Sequence, residues 1–149
     1  GARVMSLADP TKKMSKSDEN VNGFISILDD KDTIIRKFKR AVTDSEARVA
    51  CDPQRPGIYN LVNIYSCLTG KTGEEVEREF EGKGYGDFKM AVGEACADKL
   101  APLQAEFDHL TKDKAYLDGI LKEGTEKASY IARKTISKVY RKVGFYQGK

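Results

Sequence analysis

The sequence predicts a mainly α-helical fold, and three observations carry that reading. Apolar residues recur at spacings of three and four from Ile34 almost to the C-terminus, the period of an amphipathic helix. Capping residues, prolines and glycines punctuate that pattern about one helix length apart. Only one short segment, Ala2-Arg3-Val4-Met5-Ser6-Leu7, alternates like a strand.

That opening strand, taken as residues 1–7, runs into Asp9-Pro10, a turn signal that stops regular structure. A lone strand is physically awkward, because its backbone donors and acceptors need partners. The expectation is that it pairs outside these residues and that the chain is part of a longer protein. A polar, lysine-rich stretch from Thr11 to Asn22 follows, which no helical period claims. Ile34, Ile35, Phe38, Ala41 and Val42 then predict the first helix, with the Asp29–Asp32 region as its cap and dipole partner. Pro53, Pro56 and Gly57 interrupt the chain. Ile58, Leu61, Val62, Ile64, Tyr65 and Leu68 make the second helix, ended by Gly70. Thr72 and Glu75 read as a capping box opening a short third helix that turns Val76 and Phe80 inward. After a turn at Gly82, Gly84 and Gly86, a longer helix uses Phe88, Val92, Cys96, Leu100, Leu103, Phe107 and Leu110; Pro102 predicts a kink or break in it. Residues 114–123 are expected as a short helix closed by Gly124, and residues 125–143 as the last, closed by Gly144. The total is one strand, one polar loop and about six helices.

Composition narrows the function classes. At 149 residues the chain suits one domain. Apolar residues at 40% exclude a low-complexity disordered chain, and no run approaches the length of some 20 apolar residues that a membrane span needs. No apolar leader opens the sequence, which points to the cytoplasm. The net charge is only +3, but residues 122–149 set eight cations against Glu123 and Glu126, whereas residues 74–81 hold five glutamates and Arg78. A basic end on a near-neutral chain suggests a polyanionic partner. Cys51, Cys67 and Cys96 are odd in number and widely spaced, with one histidine, His109. Neither a zinc site nor a disulfide framework fits, so no metal ligands are assigned. The cysteines are expected as small buried apolar residues in a reducing compartment.

Two nucleotide-like motifs are decoys. Gly70-Lys71-Thr72 resembles the tail of a P-loop, but Tyr65 stands where its first glycine belongs and a helix, not a strand, precedes it. Gly82-x-Gly84 lacks a third glycine, with Asp87 in its place. Lys12-Lys13-Met14-Ser15-Lys16-Ser17 is different. Lys13 and Lys16 are point charges with three donors each, and the serines add neutral donors. Such a loop can close on a triphosphate and follow charge onto a leaving pyrophosphate. On composition alone, an exposed basic linker is the better explanation. The C-terminal helix has its own pattern at 100° per residue. Ala128, Ala132, Thr135, Ile136, Val139 and Val143 share one face, with Ile131 at its edge. Lys127, Lys134, Lys138 and Arg141 form a stripe roughly opposite, with Tyr130 among them. A cationic stripe with one aromatic suits phosphate contact plus stacking on an unpaired base. An ordinary solvated face is the competing reading.

Lys13-Met14-Ser15-Lys16-Ser17 is letter for letter the KMSKS signature of class I aminoacyl-tRNA synthetases. Its setting, Gly1 to Leu7, Asp9-Pro10-Thr11 and Asp18-Glu19-Asn20, closely resembles the bacterial tryptophanyl-tRNA synthetases. Later blocks look like the same family: Lys39-Arg40-Ala41-Val42-Thr43-Asp44-Ser45, Phe80-Glu81-Gly82-Lys83-Gly84-Tyr85-Gly86 and Glu123-Gly124-Thr125-Glu126-Lys127-Ala128. The resemblance implies a C-terminal segment. Residues 1–22 would be the last strand and KMSKS loop of a Rossmann-type catalytic domain otherwise absent, because the HIGH-type motif and tryptophan pocket lie upstream. Residues 23–149 would be a helical bundle of the anticodon-binding type. It further implies ATP with Mg2+, tryptophan and tRNA(Trp) as the intact enzyme's ligands, and a homodimer for the full-length protein. Lys13 and Lys16 would be catalytic, binding ATP phosphates and stabilising departing pyrophosphate. Met14 would lie near the adenine, with Ser15 and Ser17 supporting loop and phosphates. A stand-alone helical RNA-binding module without catalysis and a tyrosyl-type fragment are the alternatives.

Overall fold

The backbone of residues 4–7 finds its partners inside the chain. The structure, a computed structural model, describes residues 3–145; Ala2 of the expected strand and Lys149 of the basic end lie outside them. Among the described residues there is no sheet, only one antiparallel bridge between Met5 and Lys13. Ser6 N–H donates to the Lys12 carbonyl (2.8 Å), Leu7 N–H to that of Gly23 (2.9 Å), Met14 N–H to that of Val4 (3.0 Å) and Val42 N–H to that of Leu7 (2.8 Å). This corrects the orphan-strand reading. Loop carbonyls and amides, not a neighbouring strand, meet the demand that buried backbone groups be paired.

Five helices follow: α1 Lys31–Lys39, α2 Pro56–Thr69, α3 Gly73–Glu79, α4 Tyr85–Lys112 and α5 Lys114–Val143. The Asp30 carboxylate caps α1 by accepting from Thr33 N–H at 2.7 Å, and Arg36, Lys37 and Lys39 complement the dipole in its last turn. Pro56 opens α2, where its missing N–H is harmless, and Gly70 ends it at φ 79°. The capping box at α3 is complete: Glu75 N–H donates to Thr72 Oγ1 and Thr72 N–H to Glu75 Oε2. The Gly70-Lys71-Thr72 decoy is thus a helix stop followed by a helix start.

Two expected boundaries are absent. Helix α4 runs unbroken through Pro102. Losing one N–H is tolerable on an exposed turn, and two residues later Gln104 Nε2 ties the helix to the carbonyls of Ile27 (2.7 Å) and Asp29 (2.9 Å). Gly124 likewise does not divide the C-terminal region, and α5 is a single helix ending at Gly144, φ 77°. A glycine inside a helix costs about 1 kcal/mol, too little to stop one flanked by good helix formers.

The chain forms two compact units, residues 1–104 and 105–149. The core of the first gathers Leu7 with Ile34 and Phe38 of α1, Ile58, Leu61, Val62 and Tyr65 of α2, Val76, Phe80, and Phe88 and Val92 of α4. Tyr65, Phe80 and Phe88 meet edge to face, with ring centroids 4.8–5.8 Å apart, each pair adding about 0.5–1.5 kcal/mol beyond simple burial. In the second unit α5 buries no residue; its apolar face, Ile131, Ile136, Val139 and Val143 included, is exposed. Cys96 is buried as expected, Cys51 is half-buried, and Cys67 is exposed, against expectation. No described helix is long and apolar enough to cross a membrane.

Gly57 permits the closest backbone approach. A Cβ there would stand 2.4 Å from the Val42 carbonyl oxygen and 3.1 Å from Thr43 Cα. Backbone cannot swing aside as a side chain can. Gly57→Ala is therefore expected to destabilise the chain by about 1–3 kcal/mol, read from the urea midpoint.

Candidate functional site

The signature loop is built on a fixed stem with an open tip. Its first foot, Lys12 to Met14, is bonded to residues 4–6, and its second foot, Gly23, accepts from Leu7 N–H. Gly23 has no room for a side chain: a Cβ would meet Ser6 Oγ at 2.9 Å and Asp18 Oδ2 at 3.0 Å. Between the feet the hydrogen bonds are local. Ser15 and Ser17 hydroxyls bond each other at 3.0 Å, and Ser17 N–H donates to Ser15 Oγ at 3.3 Å. Asn20 N–H donates to Asp18 Oδ1 (2.9 Å) and Asn22 N–H to Asn20 Oδ1 (3.0 Å). These are Asx turns, which shape a loop without tying it to the body.

Lys13 and Lys16 are both exposed. Neither enters an ion pair among the described residues, whereas neighbouring Lys12 is held by Asp9 at 3.1 Å. Asp9 is committed in turn: hydrogen bonds from the Thr11 hydroxyl and from Lys12 pull its carboxyl below the ordinary value. The two lysines therefore keep their charges available for an anion. Ser15 is half-buried and Ser17 exposed beside them. Met14 behaves differently. Its side chain is half-buried and packs against the hydrophobic core.

The second candidate, the α5 stripe, lies in the other unit and stands by itself. Tyr130 and Lys134 share a groove with Ser129 and Arg133. Lys138 and Arg141 line the next groove with Lys142. Arg133 and Lys142 thus add their charges to the same two grooves. Lys127 is already engaged, pairing with Glu123 Oε1 at 2.5 Å one turn away, whereas Lys134, Lys138 and Arg141 form no ion pair among the described residues. Tyr130 is 70% exposed, so its ring face is open for stacking.

Sequence reading missed two sets of residues that support these surfaces. Asn60 on α2 bonds the opening segment: Met5 N–H donates to its Oδ1 and its Nδ2 donates to the Met5 carbonyl, both at 2.9 Å. Buried Arg55 organises the loop between α1 and α2. Its Nε and Nη2 donate to Asp44 at 3.0 and 2.8 Å, Nη2 also to the Arg48 carbonyl at 3.0 Å, and Glu46 lies 3.1 Å from Nη1. The Tyr85 hydroxyl donates to Asp44 Oδ1 at 2.6 Å. Inside this cluster Ala47 adopts a left-handed φ of 56°, a strain of order 1 kcal/mol that the flanking bonds hold in place. The Asp44 block within residues 39–45 and the Tyr85 block within 80–86 were visible as family-like stretches. Their joint clamp was not.

Comparison with known proteins identifies the family. Residues 2–101 match the family described as tRNA synthetases class I (W and Y). The tryptophan–tRNA ligase of Clostridium acetobutylicum is 51% identical over 145 residues, which is 97% of this chain and 43% of that protein. The tryptophanyl-tRNA synthetase of Mycoplasma pneumoniae superposes with a TM-score of 0.70 at 31% identity, over 95% of this chain and 43% of its own. That of Campylobacter jejuni, complexed with ADP and tryptophan, gives a TM-score of 0.76 at 26% identity, over 96% and 44%. The chain thus spans less than half the length of the relatives it matches. With the KMSKS letters on an open loop tip and the matched residues covering the helical core, the chain belongs to the class I tRNA synthetases of the tryptophan and tyrosine type.

Proposed function

We propose that this chain supplies the phosphate-handling loop and the tRNA-binding helices of a tryptophan–tRNA ligase. Residues 1–22 are read as the end of the nucleotide-binding domain and residues 23–149 as the tRNA-binding domain. The observation that carries the proposal is the pair of lysines, Lys13 and Lys16, free of ion pairs among the described residues and presented on the KMSKS loop above a hydrogen-bonded stem. In the complete protein the tryptophan carboxylate attacks the α-phosphorus of ATP and pyrophosphate leaves; a terminal ribose hydroxyl of tRNA(Trp) then attacks the adenylate's carbonyl carbon, the mixed anhydride breaks and AMP leaves. The lysines bind the β- and γ-phosphates and hold the charge that collects on them as the bond breaks. Ser15 and Ser17 add donors. Mg2+ is the proposed companion of ATP in the complete protein.

Tryptophan is preferred to tyrosine because the relatives at about 50% identity are tryptophan–tRNA ligases. The amino-acid pocket is proposed to lie outside these residues, so the chain by itself is expected to bind tRNA without forming an adenylate. A cytoplasmic homodimer is the proposed state of the complete protein.

The α5 stripe is the proposed tRNA contact, through Lys127, Tyr130, Lys134, Lys138 and Arg141. Binding of labelled tRNA(Trp) and tRNA(Tyr) to the chain across a salt series tests this. The chain should prefer tRNA(Trp). The double variant Lys134→Gln, Lys138→Gln should weaken binding and reduce the slope of log K against log salt by about 1.5, two phosphate contacts' worth. Unchanged affinity and slope would make the stripe plain solvated surface.

A further inference from the structure

We propose that Asn60 and Met14 form a latch that registers the signature loop to the helical body, and that Asn60 is thereby a positioning residue for Lys13 and Lys16. Only the catalytic consequence of this latch rests on the function proposed above.

Asn60 lies on α2, 5% exposed, and 55 residues from its partner in sequence. Its one side-chain amide does for Met5 what an adjacent strand would do: the oxygen takes the Met5 N–H and the nitrogen serves the Met5 carbonyl. Among side chains of this size only an amide offers a donor and an acceptor together; Asp lacks the donor and Leu lacks both. Met5 lies opposite Lys13, held there by the flanking bonds from Ser6 N–H to the Lys12 carbonyl and from Met14 N–H to the Val4 carbonyl. A shift of α2 therefore reaches Lys13 through two hydrogen-bonded steps.

Met14 provides the second hold. With Ile25, Phe38, Ile64, Leu68 and Cys96 its side chain lines an apolar cavity of about 200 Å³. The cavity leaves that seat incompletely filled, and Met is the side chain best able to withdraw from such a seat and return. Beyond Met14 the hydrogen bonds of residues 15–22 stay within the loop and its feet. The stem is thus latched and the tip free, so the body sets where Lys16 starts while its charge can still follow the phosphates. Catalysis by positioning is sensitive to this: a misplacement of about 1 Å can lower a rate about 10²-fold.

Limited trypsin digestion of the 149-residue chain tests the latch without any activity. Asn60→Ala should speed cleavage after Lys12, Lys13 and Lys16 by about tenfold, the effect of losing two buried hydrogen bonds. Cleavage after Lys37 and Lys89, which sit in helices of the body, should change far less. Equal acceleration at loop and body sites, or none at the loop, overturns the latch. If Asn60→Ala does not fold, Met14 serves instead: Met14→Ala should open the loop and Met14→Leu should restore it, and failure of either overturns the proposal. In the complete gene product, Asn60→Ala should lower kcat of pyrophosphate exchange about tenfold with little change in KM for tryptophan, and should add little to Lys16→Ala. Full additivity would show that Asn60 does not act through Lys16. Should Lys16→Ala leave exchange unchanged, the phosphate role fails, and the trypsin ratio still decides the latch.

Discussion

Lys16→Ala is expected to slow tryptophan-dependent pyrophosphate exchange by the complete gene product about 10²–10³-fold while leaving tryptophan affinity nearly unchanged. The argument is one of differential binding. Lys16 is exposed, sits at the tip between two mutually bonded serines and is spent on no carboxylate among the described residues. A donor of this kind tightens as negative charge moves onto departing pyrophosphate, and one such contact contributes about 2.7–4 kcal/mol to the transition state. On the proposed function tryptophan does not touch it, so tryptophan affinity is expected to hold. Lys16→Arg keeps the charge but replaces a point ammonium by a planar fork, so partial recovery is expected. Steady-state exchange kinetics, with KM for ATP and tryptophan separated, check this. An exchange rate equal to the parent's removes Lys16 from the mechanism.

Arg55→Met is the variant expected to unfold the chain most readily, by about 3 kcal/mol at neutral pH. Breaking a buried pair by removing one partner strands the other. Here the loss takes the cation from the Asp44 carboxylate, which keeps only the neutral Tyr85 hydroxyl and the Glu46 N–H, and it removes a donor from the Arg48 carbonyl and the partner of Glu46. The partial exposure of Asp44, 29%, keeps the figure at the low end of the range for buried pairs. Its pH dependence has a definite sign. The Arg55 guanidinium holds the Asp44 carboxyl well below the ordinary 3.8. A depressed folded-state value means the stabilisation is fully present above pH 3.8 and is lost as pH falls below it. The stability gap between parent and Arg55→Met should therefore be constant near neutrality and narrow in acid. Burial and the neighbouring Asp44 push the Tyr85 hydroxyl up to about 12, so it stays protonated and keeps donating throughout. Urea denaturation at a series of pH values reads both quantities. A gap that stays constant below pH 3.8 would mean the ion pair is not what Arg55 contributes.

What was legible in the sequence was local. The cap at Asp30, the stop at Gly70 and the box at Thr72 and Glu75 each act within a few residues, so their letters suffice. Gly124 and Pro102 misled because a boundary depends on whether neighbouring turns outweigh a cost of about 1 kcal/mol for Gly or about 3 for Pro. The Gln104 anchor that steadies α4 after Pro102 is 75 and 77 residues from its partners. Distance in sequence also hid Asn60 and the Arg55 cluster. Nothing near Asn60 distinguishes it from any other helical Asn, and Met5, which gives it meaning, is 55 residues away. Lys13 and Lys16 sit between these cases. Their chemistry was readable, but only the full pentapeptide in its setting set them apart from a basic linker.

The amino acid that drives ATP–pyrophosphate exchange in the complete gene product decides the proposed function most directly. Tryptophan should support exchange that requires both ATP and the lysines of residues 13–17, and tyrosine should not. Exchange driven by tyrosine, or none with tryptophan while the chain still binds tRNA, would contradict it.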